Sequence, residues 1–179
     1  AMWENQKYML SYHSGVTDSH PYSSRWYQWL LDIRPILYYM DNSVPGYTTR
    51  FAAFVNPVVC WGGLLAVVAC GFQGIVRRSG RALFIFIGYL AQLVPWCFIS
   101  RITFAYHYFP SVLFLVLALC YVFYNLSERE AMINWKPAMF AVTGGAVGLY
   151  ALFYPVLVGI QIPTWYSNNV LGWFPSWPF

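Results

Sequence analysis

Four apolar runs, each long enough to cross a lipid bilayer as a helix, dominate this sequence: residues 52–75, 82–99, 109–126 and 137–160. About 20 apolar residues, rising 1.5 Å each, span the hydrocarbon. Charged residues make up only 9% of the chain, against about 25% in an ordinary soluble domain. A soluble fold of this length cannot bury so much apolar surface, whereas lipid solvates it directly. The expectation is an all-α membrane protein with about four transmembrane helices. Membrane lipid is then a partner. No basic run resembles a nucleic-acid footprint, so nucleic acid is not.

Basic residues in the short connections orient the spans, because cytoplasmic loops carry the excess of Lys and Arg. The connections after the first and third runs hold Arg77, Arg78, Arg81, Arg129 and Lys136, while the turn between the second and third holds only Arg101. The Arg77–Arg81 and Glu128–Lys136 loops are therefore expected in the cytoplasm. Residues 1–51, the Arg101 turn and the C-terminus fall outside. Residues 1–51 read as an extracytoplasmic loop with a short interfacial helix. Residues 52–179 read as a four-helix transmembrane region with an aromatic outer-face tail. The first residues offer no apolar stretch of the signal-peptide kind, which suggests a piece of a longer polypeptide.

Within the spans, Pro95 and Pro155 should kink their helices, which neighbours can re-satisfy in lipid. Gly144 with Gly148, and Gly71 with Gly74, are small positions that let helices approach closely. Cys60, Cys70, Cys97 and Cys120 lie in apolar sequence and read as small hydrophobes. Asn125-Leu126-Ser127 matches a glycosylation acceptor but falls on the expected cytoplasmic side.

Polar groups gather in two places. In residues 18–39, Trp26, Trp29, Leu30, Ile33 and Leu37 recur at helical spacing with Arg25, Gln28 and Asp32 between them. This fits a short helix on the outer membrane surface, ended or bent by Pro35. A plain interfacial anchor has the same pattern. The second place is the turn holding Arg101, Tyr106, His107 and Tyr108. An arginine at the membrane boundary wants an anion: a lipid phosphate, a neighbouring carboxylate or a phosphate on a substrate. His13 and His20 with Asp18 are a weak metal hint, more in keeping with a loop, and no metal or cofactor is expected. No acid is placed by pattern as a catalytic base, Asp18 included.

Several runs resemble one family. His20-Pro21-Tyr22-Ser23-Ser24-Arg25-Trp26-Tyr27-Gln28-Trp29, followed by Arg34-Pro35 and Tyr38-Tyr39, resembles the segment before the C-terminal membrane helices of protein O-mannosyltransferases. Tyr12-His13, Asn56-Pro57 with Trp61-Gly62-Gly63, Arg101-x-x-Phe104-x-Tyr106-His107-Tyr108-Phe109-Pro110 and Trp173-Phe174-Pro175-Ser176-Trp177-Pro178 resemble further family segments, in order along the chain. Leu30 stands where the family usually has proline. The resemblance implies the C-terminal part of a GT-C-type membrane glycosyltransferase. Such enzymes move mannose from a polyprenyl-phosphate donor to Ser or Thr of acceptor proteins. The family's key acid lies in an N-terminal half absent from this sequence, so the chain alone is expected to be inactive. It also implies donor-phosphate contacts at Arg101, His107 and Tyr106. His20, Tyr22, Arg25 and Trp26 would contact donor or acceptor, or scaffold the loop. A bacterial plasma membrane is the expected location. The competing reading is a non-catalytic membrane subunit or transporter fragment.

Overall fold

The computed structural model describes residues 1–15, 20–129 and 133–179. Four helices are long and apolar enough to cross a membrane. They are α3 (Pro57–Val76), α4 (Gly80–Cys97), α5 (Phe109–Arg129) and α6 (Lys136–Val158). The chain is an integral membrane protein. Shorter elements precede and follow them: α1 (Met2–Ser14), α2 (Trp26–Trp29), strands β1 (Ile36–Asp41), β2 (Tyr47–Ala53) and β3 (Gln161–Pro163), and α7 (Thr164–Tyr166). Asp18 and Glu130 lie outside the described residues, as does the side chain of His13.

The first span starts at Pro57, five residues later than the apolar run suggests, because residues 47–53 pair as a strand. Asn56 sets that start. Its side-chain oxygen accepts from Val58 N at 3.1 Å, and Pro57 takes the first-turn position where a missing N–H costs nothing.

Helices α3, α4 and α5 form one core around Cys60, Val67, Cys70, Ala82, Tyr89, Leu115 and Ala118. Glycines set their spacing. A Cβ on Gly74 would meet the main chain of Leu83 at 2.9 Å, and one on Gly63 would meet Leu115 Cβ at 2.6 Å. Gly144 and Gly148, by contrast, meet nothing within 4 Å among the described residues. The close-packing role expected of both glycine pairs belongs here only to Gly71 and Gly74. Gly74→Ala is expected to destabilise the helix bundle by about 1–3 kcal/mol, since backbone cannot yield as a side chain can. Gly144→Ala should change nothing measurable. Thermal unfolding of both variants in one detergent is the check; equal midpoints would overturn the α3–α4 packing described here. Of the four cysteines, Cys60 and Cys70 are buried as expected, but Cys97 and Cys120 are exposed on the outside of the bundle.

The membrane part is helical, as the apolar runs require. Beside it lies a small antiparallel sheet in the order β1-β2-β3. The helix expected within residues 18–39 is only Trp26–Trp29. Beyond it the backbone turns through Asp32, whose φ is 53°. Pro35 disfavours helix at Arg34, and the β-branched and aromatic run from Ile36 enters the sheet. Ile33 and Leu37 thus kept a helical spacing without a helix.

The tail folds back as more than a surface anchor. Leu171, Trp177 and Phe179 are buried with Phe153, Val156, Leu37 and Ala52 in a second core. Ser176 Oγ donates to Ile33 O, and Arg50 donates to Pro178 O at 2.7 Å. Even numbers of spans separate the segment before α3, the Arg101 turn and the tail, so all three meet at one end of the bundle.

Candidate functional site

The site is built from two loops clipped together at that end. Ser24 N donates to Thr103 O at 2.8 Å, and Thr103 Oγ1 donates back to Ser24 O. Trp29, buried at 2% exposure, donates its indole N–H to Ser24 Oγ at 2.8 Å. Gln28 Oε1 accepts from Arg25 N at 2.8 Å, closing the first turn of α2. Arg34 Nη2 donates to Pro21 O at 2.7 Å, pinning the start of the loop over its end.

Between the loops lies a cleft of about 570 Å³, lined by Ser23, Ser24, Arg25, Tyr27, Gln28, Arg34, Ser100, Arg101, Ile102 and Thr103. A second hollow of about 240 Å³ shares Arg25, Tyr27, Ser100, Arg101 and Thr103 with it and continues to Trp26, Trp96, Cys97 and Ile99 at the end of α4. The cleft thus continues into a hollow where polar groups stand beside the apolar side chains of Trp26, Trp96 and Ile99 at the end of α4. Three guanidinium groups and, among the described residues, no carboxylate line the cleft. The one ion pair among the described residues is Ala1 with Glu4, at 3.1 Å. Arg101 makes no hydrogen bond to the described residues and is half-buried. Arg34 is likewise half-buried and Arg25 is exposed; guanidinium groups without counter-charge among the described residues favour an anion, and each presents paired N–H donors that match a phosphate.

Of the residues singled out by sequence, Arg25 and Arg101 meet in the cleft and Trp26 lines the hollow. The other four form an aromatic brace beside it. The His107 ring lies 4.3 Å from both Trp96 and Tyr106 by centroid, and stacks on Trp29. Its Nδ1 is 3.1 Å from Phe104 N and 3.0 Å from Phe104 O, so either tautomer finds a main-chain partner. Phe104 stacks on Tyr106 and receives the edge of His20. Tyr22 N donates to His20 Nδ1 at 3.2 Å. His107→Phe keeps the ring and loses the bond to Phe104. It is expected to cost about 1 kcal/mol of stability while binding of a prenyl phosphate stays within about two-fold. A ten-fold loss of binding would put His107 in contact with ligand instead.

Sequence reasoning missed Arg34, Gln28, Ser100 and Thr103 as lining residues. It also missed Asp32, which read as part of a polar helix face. Asp32 is 4% exposed. Its Oδ1 accepts from Val55 N at 3.4 Å, its Oδ2 has no partner, and its carbonyl accepts from Trp177 Nε1 at 2.8 Å. Burial pushes its pKa up to about 8, because an uncompensated charge is costly there. Among the described residues no three His, Cys, Asp or Glu side chains converge to hold a metal.

Residues 1–177 match the family model described as the C-terminal four TMM region of protein-O-mannosyltransferase. The chain belongs to the protein O-mannosyltransferase family. Among curated relatives of this family, the polyprenol-phosphate-mannose–protein mannosyltransferase of Mycolicibacterium smegmatis is 27% identical, over 99% of this chain and 37% of the relative. The dolichyl-phosphate-mannose–protein mannosyltransferase 5 of Candida albicans is 24% identical, over 97% of this chain and 27% of the relative. The chain therefore spans little more than a third of the length of its bacterial relatives. Among solved structures, that of the S. cerevisiae protein O-mannosyltransferase Pmt1-Pmt2 complex bound to the sugar donor superposes with a TM-score of 0.76. It covers 99% of this chain and 26% of that one, at 17% identity. That likeness gives the fold, which is of the GT-C type.

Proposed function

We propose that this chain is the C-terminal membrane portion of an enzyme that moves mannose from a polyprenyl-phosphate donor to Ser or Thr of proteins, and that the arginine-lined cleft receives the donor phosphate. The observation that carries the reading is the adjacency of three guanidinium groups, with no counter-charge among the described residues, to the apolar side chains of Trp26, Trp96 and Ile99 at the end of α4. A lipid-borne phosphate needs both in one place. On transfer the phosphate leaves the sugar and gains negative charge. Fixed cations then stabilise the transition state more than the ground state.

The role of the cleft is to hold, orient and charge-match the leaving group. Arg101 and Arg25 face the phosphate, and Gln28, Ser100 and Thr103 offer neutral hydrogen bonds to what is attached to it. His107, Tyr106, His20 and Tyr22 hold the loop in shape. A base to take the acceptor's hydroxyl proton comes from the N-terminal portion that the relatives carry, so this chain alone is inactive. The concentration of Lys and Arg in the two short connections at the opposite end supports an outer-face position for the cleft, with residues 1–51 and the tail alongside it, in a bacterial plasma membrane.

The test is mannosyl transfer from a labelled polyprenyl donor to a Ser/Thr peptide. The chain is assayed alone and with the remainder of the mycobacterial relative. Transfer that needs both parts, with the donor cross-linking to Arg101's loop, is the expected result. Full assembly with no donor bound at the cleft would instead favour a non-catalytic membrane subunit.

A further inference from the structure

The cleft holds more positive charge than the proposed donor neutralises. Arg25, Arg34 and Arg101 line it and, among the described residues, no carboxylate does. Arg34 commits one N–H to Pro21 O and, with five donors on a guanidinium, keeps the rest. A polyprenyl-phosphate sugar is a phosphodiester and carries one negative charge. Transfer breaks the bond between the sugar's C1 and the phosphate oxygen. The acceptor hydroxyl oxygen bonds to C1 and its proton goes to a base. The electron pair of the broken bond stays with the phosphate. The lipid product is therefore a phosphomonoester, whose second ionisation falls near a pKa of about 6. At neutral pH it carries close to two charges.

We infer that this cleft binds the polyprenyl phosphate product more tightly than the sugar-bearing donor, and that this preference grows as pH rises through the product's second ionisation. This rests on the donor-site reading above. The donor's sugar adds neutral hydrogen bonds to groups such as Gln28 and Ser100. The product replaces them with a second charge opposite guanidinium groups that have no counter-charge among the described residues, and charge-assisted bonds are roughly twice as strong as neutral ones. The balance favours the product, and it does so only where the monoester is doubly ionised.

The experiment measures binding of three short-chain probes to the detergent-solubilised chain: farnesyl phosphate, farnesyl methyl phosphate and farnesyl phosphate mannose. The first is a monoester. The second is a diester without a sugar, and the third mimics the donor. At about pH 8 the monoester is expected to bind about ten-fold more tightly than either diester, the equivalent of about 1.4 kcal/mol. At about pH 5.5, below the second ionisation, the difference should shrink to about two-fold or less, the diesters themselves being unchanged. Arg25→Gln should cut the preference at the higher pH by about three-fold or more, at unchanged thermal midpoint. Equal affinity for monoester and diesters at the higher pH overturns the preference for product and leaves the donor site standing. Failure of all three probes to bind overturns the donor site itself.

Discussion

Replacing Arg101 by glutamine in the assembled transferase is expected to slow mannosyl transfer by about two orders of magnitude, the loss typical of removing one preorganised charge-stabilising donor. Membrane-inserted protein should be unchanged, because Arg101 makes no ion pair and no hydrogen bond to the described residues that the fold would miss. Arg101→Lys should recover part of the rate. It restores the charge but not the planar pair of donors. Steady-state rates at saturating donor, with protein quantified in the same membranes, separate the two effects. Wild-type turnover in the glutamine variant would remove the phosphate-binding role.

A second large effect is expected at Asp32, and there the sign is counter-intuitive: removing the acid stabilises the protein. The carboxyl titrates at 3.8 when exposed and is pushed up to about 8 by burial. Between those values the folded chain holds a proton that the unfolded chain has lost. Stability therefore falls as pH rises from about 4 to about 8 and levels off above, where the folded protein keeps a buried charge. Asp32→Asn keeps the side-chain acceptor for Val55 N and tolerates the left-handed backbone at φ 53°, which asparagine adopts readily. It removes the proton linkage alone. The gain at about pH 8 is on the order of 5 kcal/mol at most, taking 1.36 kcal/mol for each pH unit of displacement. At about pH 4 it is near zero. Thermal midpoints of both proteins across that range check this. Parallel pH profiles would show that Asp32 is solvated or paired in solution.

How much of this was legible in the residues follows from where each signal is stored. The four spans are written in composition and run length, which the bilayer reads without help from tertiary structure. Their starts are written in local chemistry, as at Asn56-Pro57. The cleft was legible in part. Arg25 and Arg101 stood out as charges among aromatics at a membrane boundary. Arg34 did not, because it joins them only when the chain reverses after Trp29. That reversal depends on a left-handed Asp32, which no periodicity announces. Trp29 and Leu37 are both buried, yet one faces the helix bundle and the other the tail, so their shared spacing misled. The sheet was hidden for another reason. Its third strand is supplied by residues 161–163, far from the first two in sequence, and pairing across such a gap leaves no local trace. Gly144 and Gly148 carry the pattern of a packing seam, but the described chain leaves that seam open to whatever lies beside it in the membrane.

The bonds that close the outer layer join residues far apart in synthesis. Arg50 and Pro178 are 128 positions apart, and Trp177 and Asp32 are 145. A ribosome delivers the arginine loop long before it delivers the segment that locks it. During biogenesis the loop must wait, unlatched, until the fourth span has been threaded and the last tryptophan has emerged. The arginine-lined cleft is therefore expected to be the last feature of this region to mature, and a translation stall after α6 would leave an inserted bundle with an unfinished lip.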